Sequence, residues 1–312
     1  MILFMAVVIQ SVAVLFILIA LGFCIGKKKM FGDESISQLS DFLVKVALPV
    51  TVFNSMQMDY DPELVAGGIE IFFITIGFHL ASLLLGLGAA RLFHIESAQK
   101  GVWLFVCMFS NNGFMGFPLA LAIFGNEGMF FMSIANVVSN FLIFSLGVYL
   151  LTMGHEIKER PGLKKMVLNN INIAVVLGLI CYISQIPLPG ILTQALDYIG
   201  SITAGLSMIV VGLSLSKMNA AKMFSGKNVY LLSAMRLIVI PGLVTVICRL
   251  IPGNGQNVMP GVIVLMAALP SPSSVTIISE QYHIETQLGA KIVFLSTLFC
   301  LVTVPFFMVL AV

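Results

Sequence analysis

Between Ile2 and Ile25 the chain carries no charged residue, and apolar runs of this length recur almost to its last residue. A segment needs about 20 mostly apolar residues to cross the hydrocarbon core of a bilayer as a helix. Within that core every backbone N–H and C=O must be satisfied inside the protein, so such runs fold as helices. Ten of them tile the chain: 2–25, 36–57, 66–91, 99–123, 128–153, 170–186, 190–216, 228–250, 260–280 and 288–311. Soluble domains are roughly a quarter charged, whereas 10% of these 312 residues are charged and the mean hydropathy is +1.06. The expected class is an all-α polytopic membrane protein. Lys27–Lys29 follow the first run instead of preceding it, the reverse of a secretory signal peptide, so that run reads as a retained span.

Ten spans put alternate loops on opposite sides of the membrane. One set of loops holds thirteen basic residues: Lys27, Lys28, Lys29, Arg91, Lys100, Lys158, Arg160, Lys164, Lys165, Lys217, Lys222, Lys227 and Lys291. The other holds Arg249 alone, while Lys45 and Arg236 fall within spans. Excess Lys and Arg marks the cytoplasmic side, so both termini are expected on the outer side. The net charge of +2 gives no reason to expect nucleic-acid binding. Cys24, Cys107, Cys181, Cys248 and Cys300 each lie alone in an apolar run, without the spacing of a disulfide framework or a zinc site. They are expected to pack as small hydrophobes.

The two halves of the chain echo one another. "QLSDFLVKVALPVTVF" (38–53) aligns with "QALDYIGSITAGLSMI" (194–209), matching Gln38 with Gln194, Asp41 with Asp197 and Phe42 with Tyr198. "GVWLFVCMFSNNG" from Gly101 likewise overlays "GVIVLMAALPSPS" from Gly261. Such internal repetition is a fold-level signal. Five spans per copy is an odd number, so the copies must have opposite topology. Residues 1–153 form the first five-helix repeat, 154–169 a cytoplasmic linker, and 170–312 the inverted second repeat.

The overlay matches two helix-breaking stretches. The fourth run contains Asn111, Asn112, Gly113, Gly116 and Pro118; the ninth contains Pro270, Ser271, Pro272, Ser273 and Ser274. Proline lacks an N–H and clashes with the preceding turn, and glycine tolerates unusual dihedrals. Irregular backbone at membrane depth persists only against protein or a polar cavity. Matched breaks in inverted repeats point to a secondary transporter's midplane binding site. A broken helix exposes a new start with free N–H groups, which favours anions, and the Asn and Ser side chains add uncharged donors and acceptors. The isolated Pro49, Pro241 and Pro305 read as kinks.

The ten-span inverted repeat, Leu48-Pro49 in the second span, "SNNGFMGFP" in the fourth and the proline-serine break in the ninth resemble the auxin efflux carrier family. That family comprises the plant PIN-formed auxin exporters and bacterial permeases for malonate and other organic acids. The resemblance covers nearly the whole chain. It implies a 5+5 inverted repeat with crossed broken helices, similar to bile-acid symporters and sodium/proton antiporters such as NhaA. It also implies a scaffold of about 1–57 with 170–216, and a transport bundle of about 66–153 with 228–312. By position, the crossover prolines and asparagine fall on Pro118 and on Asn112 or Asn111. The implied substrate is a carboxylate, with a dicarboxylate such as malonate the family's suggestion. The implied location is a bacterial plasma (inner) membrane, and a homodimer is compatible with it. The serines around Pro270 and Pro272 depart from the plant pattern, as does a central loop of about thirteen residues.

Ionisable and polar residues within spans are functional candidates by default. Arg236 lies about nine residues into the eighth span, where a guanidinium fork suits carboxylate recognition or braces the bundle through carbonyls. His79 occupies the corresponding neighbourhood of the third span and either carries protons or is simply hydrogen-bonded. Asn54, Asn136 and Asn140 are further cavity candidates, the last two on one helix face. Asp41 and Lys45, four apart, read as a structural pair, with Asp197 as the repeat mate of Asp41. Sodium and proton coupling both stay open, and no cofactor or metal site is signalled. "HEIKE" (155–159) lacks the second histidine of a zinc-protease helix, and no GxSxG, GxGxxG or P-loop occurs. The expected function is a secondary carrier of a small organic anion working by alternating access, not an enzyme. A membrane-embedded sensor using the same pocket is the alternative.

Overall fold

A computed structural model describes residues 2–153, 169–218, 223–250, 258–282 and 287–311. Most of the expected 154–169 linker lies outside them, as do Lys158, Arg160, Lys164, Lys165 and Lys222. The regular structure of the described residues is all helix, with no strand among them. In order they are α1 (Ile2–Lys27), α2 (Asp33–Phe42), α3 (Leu48–Ser55), α4 (Pro62–Leu92), α5 (Ser97–Met108), α6 (Phe117–Leu142), α7 (Val148–Leu151), α8 (Asn170–Ser184), α9 (Gly190–Ser216), α10 (Lys227–Ala234), α11 (Ile240–Leu250), α12 (Val258–Ala268), α13 (Ser274–Gln281) and α14 (Gln287–Ala311). Among the described residues seven helical stretches are long and apolar enough to cross a membrane, and Asn170–Ser184 and Val258–Ala268 are shorter apolar helices. The protein is therefore polytopic.

Proline sets the local irregularities. Wide turns with i→i+5 hydrogen bonding occupy Leu43–Ala47, Asn112–Gly116, Ile143–Gly147 and Met235–Val239. Three of them end two residues before a proline: Pro49, Pro118 and Pro241. A proline ring presses on the carbonyl four residues earlier, and one widened turn spreads the backbone there without ending the helix. Pro49 and Pro241 thus act as local bulges, and Pro305 sits inside α14. Within α6 the chain bends at Gly125, whose φ of 65° and ψ of −154° lie in a region that glycine alone enters cheaply.

The chain divides into two compact units, the first comprising Met1–Ile71, Gly113–Val137 and Val167–Lys217. Here α1 packs closely on α9. A Cβ on Gly22 would overlap the Ile209 carbonyl, one on Gly212 the Ile19 carbonyl, and one on Gly26 the Ser216 side chain. This is the small-residue contact by which membrane helices gain dispersion energy that hydrophobicity alone does not supply there. Thr51 Oγ1 donates to Thr203 Oγ1 at 2.8 Å, tying α3 to α9. Asn54 Nδ2 donates to Asp197 at 2.8 Å. Lys45 pairs with Asp41 at 2.6 Å on an exposed helix face, as their spacing suggested.

The second unit comprises Phe72–Asn112, Val138–Met166 and Met218–Val312. In it α5 is buried from Gly101 to Met108. Trp103 is fully buried and donates through its indole N–H to the Gly86 carbonyl at 3.1 Å. The centre of α14 is also buried, from Ile292 to Thr297. Both breaking stretches, at 109–112 and 269–273, have their irregular backbone in this unit.

Candidate functional site

The first break is short. Helix α5 makes its last turn with the Phe109 N–H on the Phe105 carbonyl, and Phe109 itself is extended at φ −113° and ψ 149°. The Asn112 N–H then donates to the Ser110 carbonyl at 2.9 Å. The Asn112 side chain is fixed at both ends, its Oδ1 accepting from Ser110 Oγ at 3.0 Å and its Nδ2 donating to Ser139 Oγ at 3.1 Å. Ser110, Asn111, Asn112 and Ser139 are all buried. Helical hydrogen bonding resumes with the wide turn at Asn112, so Gly113, Gly116 and Pro118 belong to the opening of the next helix and not to the gap. They fall in the first unit. Pro118 there follows the wide turn that accommodates its ring.

The second break follows from covalent structure. In a continuing helix the Met266 carbonyl would accept from the N–H of residue 270, but that residue is Pro270. The Ala268 carbonyl would likewise look to Pro272. Helix α12 therefore stops at Ala268, and the chain resumes as α13 at Ser274. The Ser271 N–H donates to Ser296 Oγ of α14 at 3.0 Å. The two breaks touch: the Asn111 N–H donates to the Pro270 carbonyl at 3.0 Å. A donor freed by one interruption is satisfied by an acceptor freed by the other.

Arg236 completes the second break. Its side chain is fully buried, with Nη2 donating to the Met266 carbonyl at 3.0 Å and Nε to the Leu269 carbonyl at 3.1 Å. It supplies the donor that Pro270 lacks, and places its positive charge at the C-terminal end of a half-helix, where the dipole is negative. No carboxylate pairs with it among the described residues. Its third nitrogen, Nη1, has no hydrogen-bond partner there, and neither do the buried Ser271 Oγ and Ser274 Oγ. His79 is equally buried and packs its ring on Phe109, with centroids 5.4 Å apart, at the end of the other half-helix. Its Nδ1–H donates to the Thr75 carbonyl at 2.7 Å, which leaves Nε2 as an acceptor without a partner among the described residues.

The structure thus brings together Asn111, Asn112, Pro270, Ser271 and Arg236, with His79 against Phe109. Pro272 is buried beside Ser271, and Ser273 caps the next turn through its carbonyl, bonded to Thr276 Oγ1 at 2.8 Å. Asn54 and Asn136 lie in the first unit, Asn136 with its Nδ2 buried and unbonded among the described residues. Asn140 is in the second unit, half-buried. Ser110, Ser139 and Ser296 carry side-chain bonds of the breaks, yet sequence reasoning missed them, because one serine in an apolar helix looks like any other. No cluster of three or more His, Cys, Asp or Glu suited to a metal occurs among the described residues.

The chain as a whole is similar to known transporters. It is 25% identical over 304 residues to an uncharacterized transporter of Methanocaldococcus jannaschii, covering 94% of this chain and 95% of that one. It is 22% identical to the uncharacterized transporter YfdV of Escherichia coli K12, over 93% of both chains. A Rhizobium meliloti protein named "Putative malonate transporter" is 21% identical over 96% of this chain and 94% of its own. These relatives are transporters, not enzymes. The model of the family described as "Membrane transport protein" matches residues 7–308, and the chain belongs to that family, the auxin efflux carriers its motifs resemble.

Proposed function

We propose that the protein is a secondary transporter of a small organic anion, a carboxylate, working by alternating access at the paired helix breaks. The observation that carries this reading is the meeting of the two breaks at Asn111 and Pro270, beside a buried guanidinium with no acidic partner among the described residues. Burying an unpaired charge is expensive, and carbonyl dipoles offset only part of the cost. An anionic cargo is the natural complement. Arg236 Nη1, Ser271 Oγ and Ser274 Oγ offer it donors, and Asn112 is held where it can shape the approach.

In this reading the ten runs form a 5+5 inverted repeat, with the first two spans of each repeat as scaffold and the other three as transport bundle. The termini face outward from a plasma membrane. Malonate is the first substrate to try, on the strength of the Rhizobium meliloti relative's name. Coupling by Na+ and coupling by H+ are both open to the same assay, and His79, whose Nε2 has no partner among the described residues, is the buried group to examine for the second.

The test is uptake of radiolabelled mono- and dicarboxylates into proteoliposomes, with sodium, pH and voltage gradients imposed singly. Saturable uptake that falls at least roughly tenfold in Asn112→Ala is expected, since the substitution removes two hydrogen bonds that hold the break, about 1 kcal/mol each. Folded protein that moves none of these carboxylates would refute the reading.

A further inference from the structure

Away from the breaks, three helices of the second unit begin side by side: α5 at Ser97, α10 at Lys227 and α14 at Gln287. Around their first turns lies a cavity of about 280 Å3, lined among others by Gln99, Ser225, Lys227, Asn228 and Lys291. Its lining holds two lysines and, among the described residues, no carboxylate.

The hydrogen bonds within it fix what it presents. Asn228 Nδ2 donates to Gln99 Oε1 at 2.7 Å, so the Gln99 carbonyl is occupied and its NH2 group is the open end. Lys291 Nζ donates to Ser225 Oγ at 3.0 Å, which spends one ammonium proton and fixes the lysine at the cavity. Gly226, at φ 104°, precedes α10 without a capping side chain; the Val229 N–H turns back to the Gly226 carbonyl at 3.3 Å, and the N–H groups of Lys227 and Asn228 are the ones this helix start presents.

Placement of the lysines is the second observation. A cation at a helix start opposes the helix dipole, yet Lys227 opens α10 and Lys291 lies in the first turns of α14. The cytoplasmic excess of basic residues explains lysines at loop tips. It does not explain two of them against helix starts in a cavity whose described lining holds no acid, one of them half-buried and bonded to a serine. A bound anion removes the conflict.

We infer that this cavity binds a phosphate group. Lys227 and Lys291 supply charge, while Gln99 and the first turn of α10 supply directed donors, as helix starts do for phosphates elsewhere. The group belongs either to a free phosphate or to the headgroup of an anionic lipid. The site shares no residue with the helix breaks and stands independently of the transported substrate.

The experiment has two arms. In detergent, thermal unfolding of the purified chain is followed while inorganic phosphate replaces chloride at constant ionic strength. In nanodiscs of phosphatidylcholine with and without phosphatidylglycerol, retained lipid is counted by native mass spectrometry. Stabilisation by phosphate identifies a free anion; retention of phosphatidylglycerol alone identifies a headgroup. In either case Lys227→Gln with Lys291→Gln should weaken binding by roughly tenfold or more. Lys227→Arg with Lys291→Arg should keep it, and the charge-matched Lys28→Gln with Lys29→Gln should leave it unchanged. A wild-type chain that responds to neither probe overturns the inference. So does equal weakening by the Lys28 and Lys29 substitutions, which would mean diffuse attraction instead of a site.

Discussion

The Arg236 brace can be tested by a double-mutant cycle with Pro270. Proline at 270 removes the N–H that the Met266 carbonyl would otherwise receive, and Arg236 Nη2 replaces it at 3.0 Å. Its Nε serves the Leu269 carbonyl at 3.1 Å, and all of these groups are fully buried. Arg236→Met should leave two carbonyls unpaired, at about 1–3 kcal/mol each, so about 2–6 kcal/mol in all. The same substitution relieves the burial of a charge, also worth several kcal/mol, so the single variant has no diagnostic sign. Pro270→Ala resolves this by restoring an N–H within reach of the Met266 carbonyl. In that background Arg236→Met should leave one carbonyl unpaired instead of two. The charge-burial contribution occurs in both backgrounds and cancels. The expected coupling is about 1–3 kcal/mol, with the second Arg236→Met cheaper than the first. Unfolding by SDS in mixed micelles reads it out through Trp103, the chain's single tryptophan, fully buried in the same unit. Additivity within about 0.5 kcal/mol would refute the brace.

Two further substitutions test the first unit. Gly212→Ala would drive a Cβ into the backbone of α1 near Ile19 and Phe23, where no side chain can yield; a loss of about 1–3 kcal/mol in the same SDS titration is expected, and an unchanged midpoint would show that α1 and α9 are not in that contact. Lys45→Ala removes an ion pair whose side chains are 62% and 61% exposed, so it should shift stability by less than about 0.5 kcal/mol; a larger loss would mean that the pair is screened from solvent in the membrane.

Where the helices stop was legible because proline and glycine act through covalent structure. Pro270 and Pro272 remove donors whatever surrounds them, and the overlay of Gly101 with Gly261 set the first break opposite the second. The crossing bond between Asn111 and Pro270 is one residue from the Asn111–Ser271 match which that overlay makes. Partners were less legible. Ser139 and Ser296 hold the breaks through single hydroxyls, which carry no sequence pattern and gain meaning only once the helices are packed. The exact reach of the first gap was also hidden, since a wide turn can absorb Pro118 and let helical bonding begin at Asn112. Arg236 left two readings open because a carbonyl acceptor leaves no mark in a sequence, unlike a carboxylate.

One rule nevertheless connects sequence to the brace: each proline releases the carbonyl four residues before it. Pro49 releases that of Lys45, which accepts from Asn170 Nδ2 at 2.7 Å. Pro270 releases that of Met266, which accepts from Arg236. In both places a side chain from another helix repairs the ladder, so repair alone explains why a donor stands at position 236. It does not explain why the donor is charged, since an amide suffices at Lys45. A guanidinium serves two carbonyls, keeps Nη1 over, and holds a full positive charge that dipoles do not neutralise. The excess of donor and charge beyond what the backbone needs is what an anion passing the breaks would use. Arg236→Gln separates the two duties: it keeps an amide that can serve one carbonyl and removes the charge. If the charge acts on cargo, carboxylate uptake in this variant should show a KM raised by roughly tenfold or more while folding is largely retained. A KM unchanged in folded protein would leave Arg236 as a brace only.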